Sequence, residues 1–249
     1  MREAANRLIG ADREGAPCAP VRDLLGWDDL EGAYAVQRMV CDERVARGAR
    51  IVGWRIGVGP GAGGRLFAGA LFDDTAYVGG DTVPRDVLRQ PRVGVEVALV
   101  LGRDLDHGEL GLLQVRAAVD YAVTALDISG SRIVDWDVSL VDLVADNAAS
   151  GPFVLGPLRR PLGEAGIGEV AGRLEIDGAK VGGAFSFAPV IDPLEGLRWL
   201  ARHVRGLGSP LRAGQIVLSG PLGPVVPVEP GARIAASVTG LGRVVATLG

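Results

Sequence analysis

Pro91-Arg-Val-Gly-Val-Glu-Val-Ala-Leu-Val-Leu101 is the stretch on which the reading of this chain turns. From Val93 onward it is a β-branched, aliphatic run of strand length, broken by Gly94 and Glu96. Similar short runs recur at Ile51–Val58, Ala117–Ile128, Phe153–Leu155, Arg173–Ile176, Ile216–Leu218 and Ile234–Val238, with turn residues between them. Asp177-Gly178 predicts a hairpin joining Leu174-Glu-Ile176 to Lys180-Val181, and the C-terminal segment from Arg233 predicts two strands around Gly240-Leu-Gly242. Helical spacing is clear in two places. Tyr34, Val36, Met39, Val40 and Val45 line one face of a segment that ends at Arg47-Gly48, and Leu194, Leu197, Leu200 and Val204 follow Pro193. The expected organisation is a helical N-terminal part, residues 1–50, on a β-rich part, residues 51–249, forming one compact unit.

Composition bounds the function. The chain has 249 residues, 48% of them hydrophobic and 22% charged, the profile of a globular protein. A net charge of −4 offers no field for nucleic acid or an anionic membrane. No apolar run reaches the ~20 residues a membrane span needs, and the acidic start lacks a signal-type apolar region, so a cytoplasmic protein is expected. Cys18 and Cys41 lack any metal-ligand or redox spacing. Lys180 is the only lysine and sits in the predicted hairpin. Neither a nucleophile-elbow serine motif nor a nucleotide loop is present, and His107 and His203 are expected to be solvated.

Four stretches carry a resemblance to a known family. They are Ala19-Pro-Val-Arg-Asp-Leu-Leu-Gly26 with Ala33-Tyr-Ala-Val-Gln37; the Pro91 stretch through Leu105; Ala125-Leu-Asp-Ile-Ser-Gly-Ser-Arg-Ile133 through Asp135-Trp136 to Val144-Ala-Asp-Asn-Ala148; and Gly208-Ser-Pro-Leu-Arg-Ala-Gly-Gln-Ile-Val-Leu-Ser-Gly-Pro-Leu-Gly-Pro224. In these the chain resembles the 2-keto-4-pentenoate hydratase and 4-oxalocrotonate decarboxylase family. The resemblance implies an α+β fold of fumarylacetoacetate-hydrolase-like type, a mixed β-sandwich or roll, in subunits that assemble into homo-oligomers. It also implies a Mg²⁺ or Mn²⁺ site built from Glu-x-Glu on a strand and a later third carboxylate. Residues i and i+2 of a strand face one way, so such a pair serves one cavity.

In this chain Glu96 and Asp127 stand at the second and third ligand positions, and Gly94 stands at the first. The family's lysine is replaced by Arg55, which cannot lose a proton but can clamp a carboxylate or an enolate oxygen. The segment from Gly57 to Leu71 is glycine-rich and shorter than the family's substrate-covering loop. The resemblance further implies substrate contacts from Ser131, Arg132, Asp146, Asn147 and Ser219.

With one ligand and the base changed, the expectation is a divergent lyase acting on an enolisable oxo or dienol small molecule. Glu96, Asp127 and Arg55 are the candidate catalytic residues, with weak or no metal dependence. Such an enzyme could be repurposed for dehydration, isomerisation or cyclisation of a polyketide-like intermediate in specialised biosynthesis. The alternatives are a metal-dependent hydratase or decarboxylase, and a non-catalytic partner subunit.

Overall fold

The computed structural model describes residues 1–59, 64–181 and 188–249. The chain begins with helices α1 (Arg2–Glu14), α2 (Arg22–Leu25) and α3 (Leu30–Ala46), then enters strands β1 (Ile51–Val58), β2 (Leu66–Phe72), β3 (Ala76–Val78), β4 (Thr82–Val83) and β5 (Arg92–Leu101). Next come α4 (Leu112–Ala118), β6 (Val119–Ser129), α5 (Leu140–Ala145), β7 (Phe153–Leu155), α6 (Leu162–Ala165), β8 (Gly172–Ile176) and β9 (Ala179–Lys180). Helix α7 (Pro193–Gly206) leads into β10 (Ile216–Pro221), β11 (Val226–Pro227), β12 (Arg233–Val238) and β13 (Gly242–Leu248).

Two mixed sheets form. The larger runs β2-β1-β10-β5-β6-β7-β3, with β11 on β5, and the smaller runs β4-β13-β12-β8-β9. Strand β5 is buried along nearly its whole length. Its odd-numbered residues, Val93 to Leu101, join Leu174, Ile234, Ala236 and Val244 of the smaller sheet in the main core. A strand covered on both faces reads as a continuous apolar run rather than an alternation, which explains the texture of the Pro91 stretch. On the other face, Leu71, Ala98, Val123, Ala125, Phe153 and Leu218 form a second cluster. It takes side chains from β2 and β7, which have four strands between them in the sheet order, so the larger sheet curls. This is the expected α+β roll.

Local chemistry sets the helices. Asp29 and Asp192 cap α3 and α7 by accepting from backbone amides, and Pro193 occupies the first turn of α7. Helix α7 buries Leu197, Leu200, Ala201 and Val204 against the main core. Helices α1 and α3 share a third cluster with Phe67, Val141, Val144 and Ala148, so the N-terminal part docks on later elements. The predicted hairpin pairs Glu175 with Lys180, and β12 and β13 pair as expected. One boundary is corrected: Ala117 and Ala118 end α4, and β6 begins at Val119. Residues 60–63 of the glycine-rich segment lie outside the described residues. No helix among the described residues is long and apolar enough to cross a membrane.

The close approach of β2 to the turn after α5 depends on Gly69, where a Cβ would stand 2.3 Å from the carbonyl oxygen of Asn147. Backbone cannot retreat as a side chain can. Gly69→Ala should therefore cost about 1–3 kcal/mol, the range for overpacking, read as a lowered urea midpoint.

Candidate functional site

The register of β5 and β6 assembles the site. Gly94 pairs with Asp127 and Glu96 with Ala125, so Glu96 and Asp127 are diagonal neighbours on one face of the sheet. That face is the one bearing Ala98, Ala125 and Leu218. Arg55 of β1 pairs in parallel with Leu218 of β10, which places its guanidinium on the same side. The three residues come from strands far apart in sequence and meet because β10 lies between β1 and β5.

All three are buried: Glu96 and Asp127 are 0% exposed and Arg55 is 6% exposed. Arg55 Nη2 donates to Asp127 Oδ2 at 2.6 Å and Nη1 to the Ala149 carbonyl at 3.3 Å. Ser129 Oγ also donates to Asp127 Oδ2, at 2.9 Å. Glu96 Oε2 accepts from the Gly220 amide at 3.0 Å. Arg55 Nε, Glu96 Oε1 and Asp127 Oδ1 are buried without a hydrogen-bond partner among the described residues. Buried polar atoms are rarely left so, and three together on one face mark a place built for a ligand. Burial, and after it the nearby Asp127 carboxylate, push the Glu96 carboxyl well above the usual range, against the weaker pull of Arg55 and the Gly220 amide. Glu96 is thereby disposed to hold a proton, and Oε1 is the oxygen free to carry it.

Behind Arg55 lies an unusual turn. Asn147, Ala148 and Ala149 all have left-handed backbones, with φ of 51°, 57° and 50°. Each such non-glycine residue costs about 1–2 kcal/mol, so the surroundings must hold them. Asn147 Oδ1 accepts from the Ala70 amide at 2.7 Å, and its Nδ2 donates to the Ala70 carbonyl at 2.9 Å. Ser150 Oγ donates to that same carbonyl at 3.0 Å. Arg132 donates to Asp146 Oδ1 at 2.9 Å and to the Ser150 carbonyl at 2.9 Å, while Ser131 Oγ donates to Asp146 Oδ2 at 3.0 Å. The turn presents the Ala149 carbonyl to Arg55.

The residues nominated from sequence thus fall into two groups. Arg55, Glu96 and Asp127 converge, and Ser219 lies buried on β10 next to the Gly220 amide that binds Glu96. Ser131, Arg132, Asp146 and Asn147 direct the polar contacts above toward one another and the backbone around the left-handed turn. Ala149 and Val225 escaped the sequence reading: one acts through a backbone carbonyl, and the other is an aliphatic residue whose only signal is its closeness to Gly94. A further correction concerns His203, which is half-buried rather than fully solvated: it is stacked on Trp199 with centroids 4.8 Å apart, and its Nε2 is buried. The cleft of about 320 Å³ bordered by Arg44, Arg47, Arg89 and Arg132 reaches Gly130 and Ser150 but not Arg55, Glu96 or Asp127.

The donor set bears on a metal. Among the described residues no group of three or more His, Cys, Asp or Glu side chains converges. Glu96 Oε1 and Asp127 Oδ1 are nonetheless free, and Mg²⁺ is commonly held by one or two carboxylates together with water and substrate oxygens. The residues fit a hard divalent ion with two protein donors.

Two expectations follow. Asp146→Ala removes the buried carboxylate shared by Arg132 and Ser131 and leaves the Arg132 guanidinium only a longer ion pair, 3.5 Å to Asp12, so it should lower unfolding free energy by about 3 kcal/mol, measured by urea denaturation. Glu96 binds its proton more tightly folded than unfolded, so its effect is favourable at acid pH and is lost as pH rises above the ordinary carboxylate range. Relative to Glu96→Gln, chelator-treated wild type should lose stability as pH rises above the ordinary carboxylate range, at up to about 1.4 kcal/mol per pH unit. Parallel pH profiles for the two proteins would contradict this.

Residues 70–249 match the fumarylacetoacetate (FAA) hydrolase C-terminal family. The chain is 41% identical to a 2-keto-4-pentenoate hydratase of Paraburkholderia xenovorans (strain LB400), over 97% of this chain and 92% of that protein. It is 31% identical to a 2-hydroxyhexa-2,4-dienoate hydratase of Comamonas testosteroni, over 95% of this chain and 92% of that protein. Its fold superposes with a TM-score of 0.90 on 4-oxalocrotonate decarboxylase from Pseudomonas putida G7 complexed with magnesium and adipate, at 26% identity, covering 100% of this chain and 98% of that one. By these measures the chain is an enzyme of lyase type and belongs to the 2-keto-4-pentenoate hydratase and 4-oxalocrotonate decarboxylase family of the fumarylacetoacetate-hydrolase-like superfamily.

Proposed function

We propose that this lyase hydrates a 2-keto-4-enoate or its 2-hydroxydienoate tautomer, with help from a divalent cation. The observation that carries the reading is the Arg55–Asp127 pair at 2.6 Å beside a buried Glu96 whose Oε1 is free. Adding water to such a substrate requires a proton to move on an enolisable carbon chain while negative charge collects on the 2-oxygen. Arg55 supplies fixed positive charge for a carboxylate or enolate oxygen, and its planar fork orients what it binds. Asp127 and the Ala149 carbonyl hold that fork in place. With no cation bound, Glu96 Oε1 can hold or release a proton, its carboxyl being raised well above the usual range by burial and by Asp127. Burial keeps these charges in a low-dielectric setting, where they act more strongly on a bound substrate. Glu96 and Asp127 would be the side chains to hold a divalent cation, which would supply Lewis-acid polarisation of the 2-oxo group.

Near-full-length similarity to named hydratases supports this reading over a repurposed dehydratase, isomerase or cyclase. The neighbouring decarboxylase was crystallised with magnesium, which counts against a metal-free site. That neighbour also makes decarboxylation of a 2-oxo diacid the second reading.

The test is incubation of the protein with Mg²⁺ or Mn²⁺ and 2-hydroxypenta-2,4-dienoate, following loss of dienol absorbance and gain of one water by mass spectrometry. Glu96→Gln and Arg55→Met should each lower kcat/KM at least tenfold, about 1.4 kcal/mol in barrier. Carbon dioxide release from 4-oxalocrotonate without dienoate hydration would favour the decarboxylase. Turnover that is absent in wild type and variants alike would favour a non-catalytic subunit.

A further inference from the structure

The cleft of about 320 Å³ that stops short of Arg55, Glu96 and Asp127 collects five arginines: Arg13, Arg44, Arg47, Arg89 and Arg132. Its own acidic side chains are Asp12, Asp74 and Asp86. Three of the guanidiniums are closely answered. Arg13 pairs with Glu43, Arg44 with Asp74 at 2.6 Å, and Arg132 with Asp146 at 2.9 Å. Glu43 and Asp146 do so from outside the lining, so the pairing of each arginine decides more than the sum of charges.

Arg47 and Arg89 are the two left over. Arg47 is exposed, and its ion pair is a long one, 3.8 Å to an Asp12 that also faces Arg132 at 3.5 Å. Arg89 donates from its terminal nitrogens to the backbone carbonyls of Asp12, Asp86 and Leu88, and makes no ion pair among the described residues. Its Nε is buried without a hydrogen-bond partner. Carbonyl dipoles fix a guanidinium in place and leave its full charge unneutralised. The main chain of Arg89 cannot shift toward Gly130 either, where a Cβ would already stand 2.8 Å from the Arg89 carbonyl oxygen. Asp86 is the carboxylate that would oppose an anion here, and it is exposed to solvent, where its charge is screened.

Water could satisfy the Arg89 Nε, but it would neutralise neither arginine. A carboxylate or phosphate oxygen does both, because guanidinium forks match such groups and charge-assisted bonds are the stronger ones. The volume is at the small end of the range for ligand clefts, which suits a compact ligand. We infer that this cleft is an anion site, separate from the buried carboxylates of β5 and β6, that takes a small oxyanion, a phosphate or a short dicarboxylate, with Arg47 and Arg89 as its charge partners. Arg132 and Ser150 line it from the frame behind Arg55, so the ligand rests against that frame.

The test is isothermal titration of the full-length protein with inorganic phosphate and, separately, with succinate, at an ionic strength held constant with sodium chloride. Saturable binding of at least one probe is expected, weakened at least tenfold, about 1.4 kcal/mol, by Arg47→Gln and by Arg89→Gln. Arg116→Gln, which changes an exposed arginine outside the cleft, should bind as wild type does, and so should Arg55→Met. Phosphate binding alone identifies a phosphate ligand, succinate binding alone a carboxylate one, and binding of both a general oxyanion site; each sustains the inference. If Arg89→Gln does not fold, Arg47→Gln decides alone. The inference is overturned by no saturable binding of either probe, by binding that the cleft variants retain, or by equal weakening in Arg116→Gln. Binding abolished by Arg55→Met and kept by the cleft variants would place the anion at the active site and overturn it too. The hydratase reading is untouched by any of these results, since dienoate turnover tests it separately.

Discussion

The buried ion pair between Arg55 and Asp127 is the interaction on which the rest of this structure depends. A guanidinium and a carboxylate removed from water forfeit several kcal/mol of hydration each, on the order of what their mutual attraction returns, so geometry and extra hydrogen bonds decide the balance. Those extra bonds come from Ser129 on β6 and from the Ala149 carbonyl. The carbonyl is there because three consecutive residues accept a left-handed backbone. They are held by Asn147 on the edges of Ala70, and Arg132 with Asp146 braces the same turn. Gly69 then follows as a requirement, because no side chain fits between β2 and that turn. One ion pair thus sets demands on four separate segments of the chain.

The site is not arranged for stability. Glu96, beside Asp127 and out of reach of water, has a hydrogen bond to one oxygen only, and Arg55 has an unpartnered Nε. Leaving buried donors and acceptors unmade costs roughly 1–3 kcal/mol each. The opposite face of the same strands carries the offset. Val93, Val95, Val97 and Leu99 are wholly or almost wholly buried there, in a core continuous with the smaller sheet and α7. Strand β5 is therefore two-sided in function as well as in covering: its odd residues hold the fold together and its even residues hold the chemistry.

That two-sidedness also explains how far the sequence could be read. The strands, the Asp177-Gly178 hairpin and the two amphipathic helices declare themselves through period and turn residues. The faces of β5 do not, because a strand buried on both sides has no polar alternation to mark which side is which. Glu96 and Asp127 were legible as a pair only through the family resemblance, and their convergence with Arg55 depends on β10 lying between β1 and β5. The left-handed turn was invisible, since Asn147-Ala148-Ala149 contains no glycine and two residues that favour helix. His203 was misread because its helical position looks outward until Trp199 is seen stacked on it. In each case local pattern carried the element, and tertiary contact carried the role.

A glycine on the site face is cheap for the fold and consequential for the chemistry. The backbone of β5 keeps its pairing with β6 through Gly94, so the sheet does not register the missing side chain. What changes is the count of donors and of charges within reach of Asp127. A fixed guanidinium in place of a titratable amine removes one route for proton transfer while strengthening the hold on an anion. The same scaffold keeps its overall shape, at a TM-score of 0.90 to 4-oxalocrotonate decarboxylase from Pseudomonas putida G7, while the side chains on its site face differ.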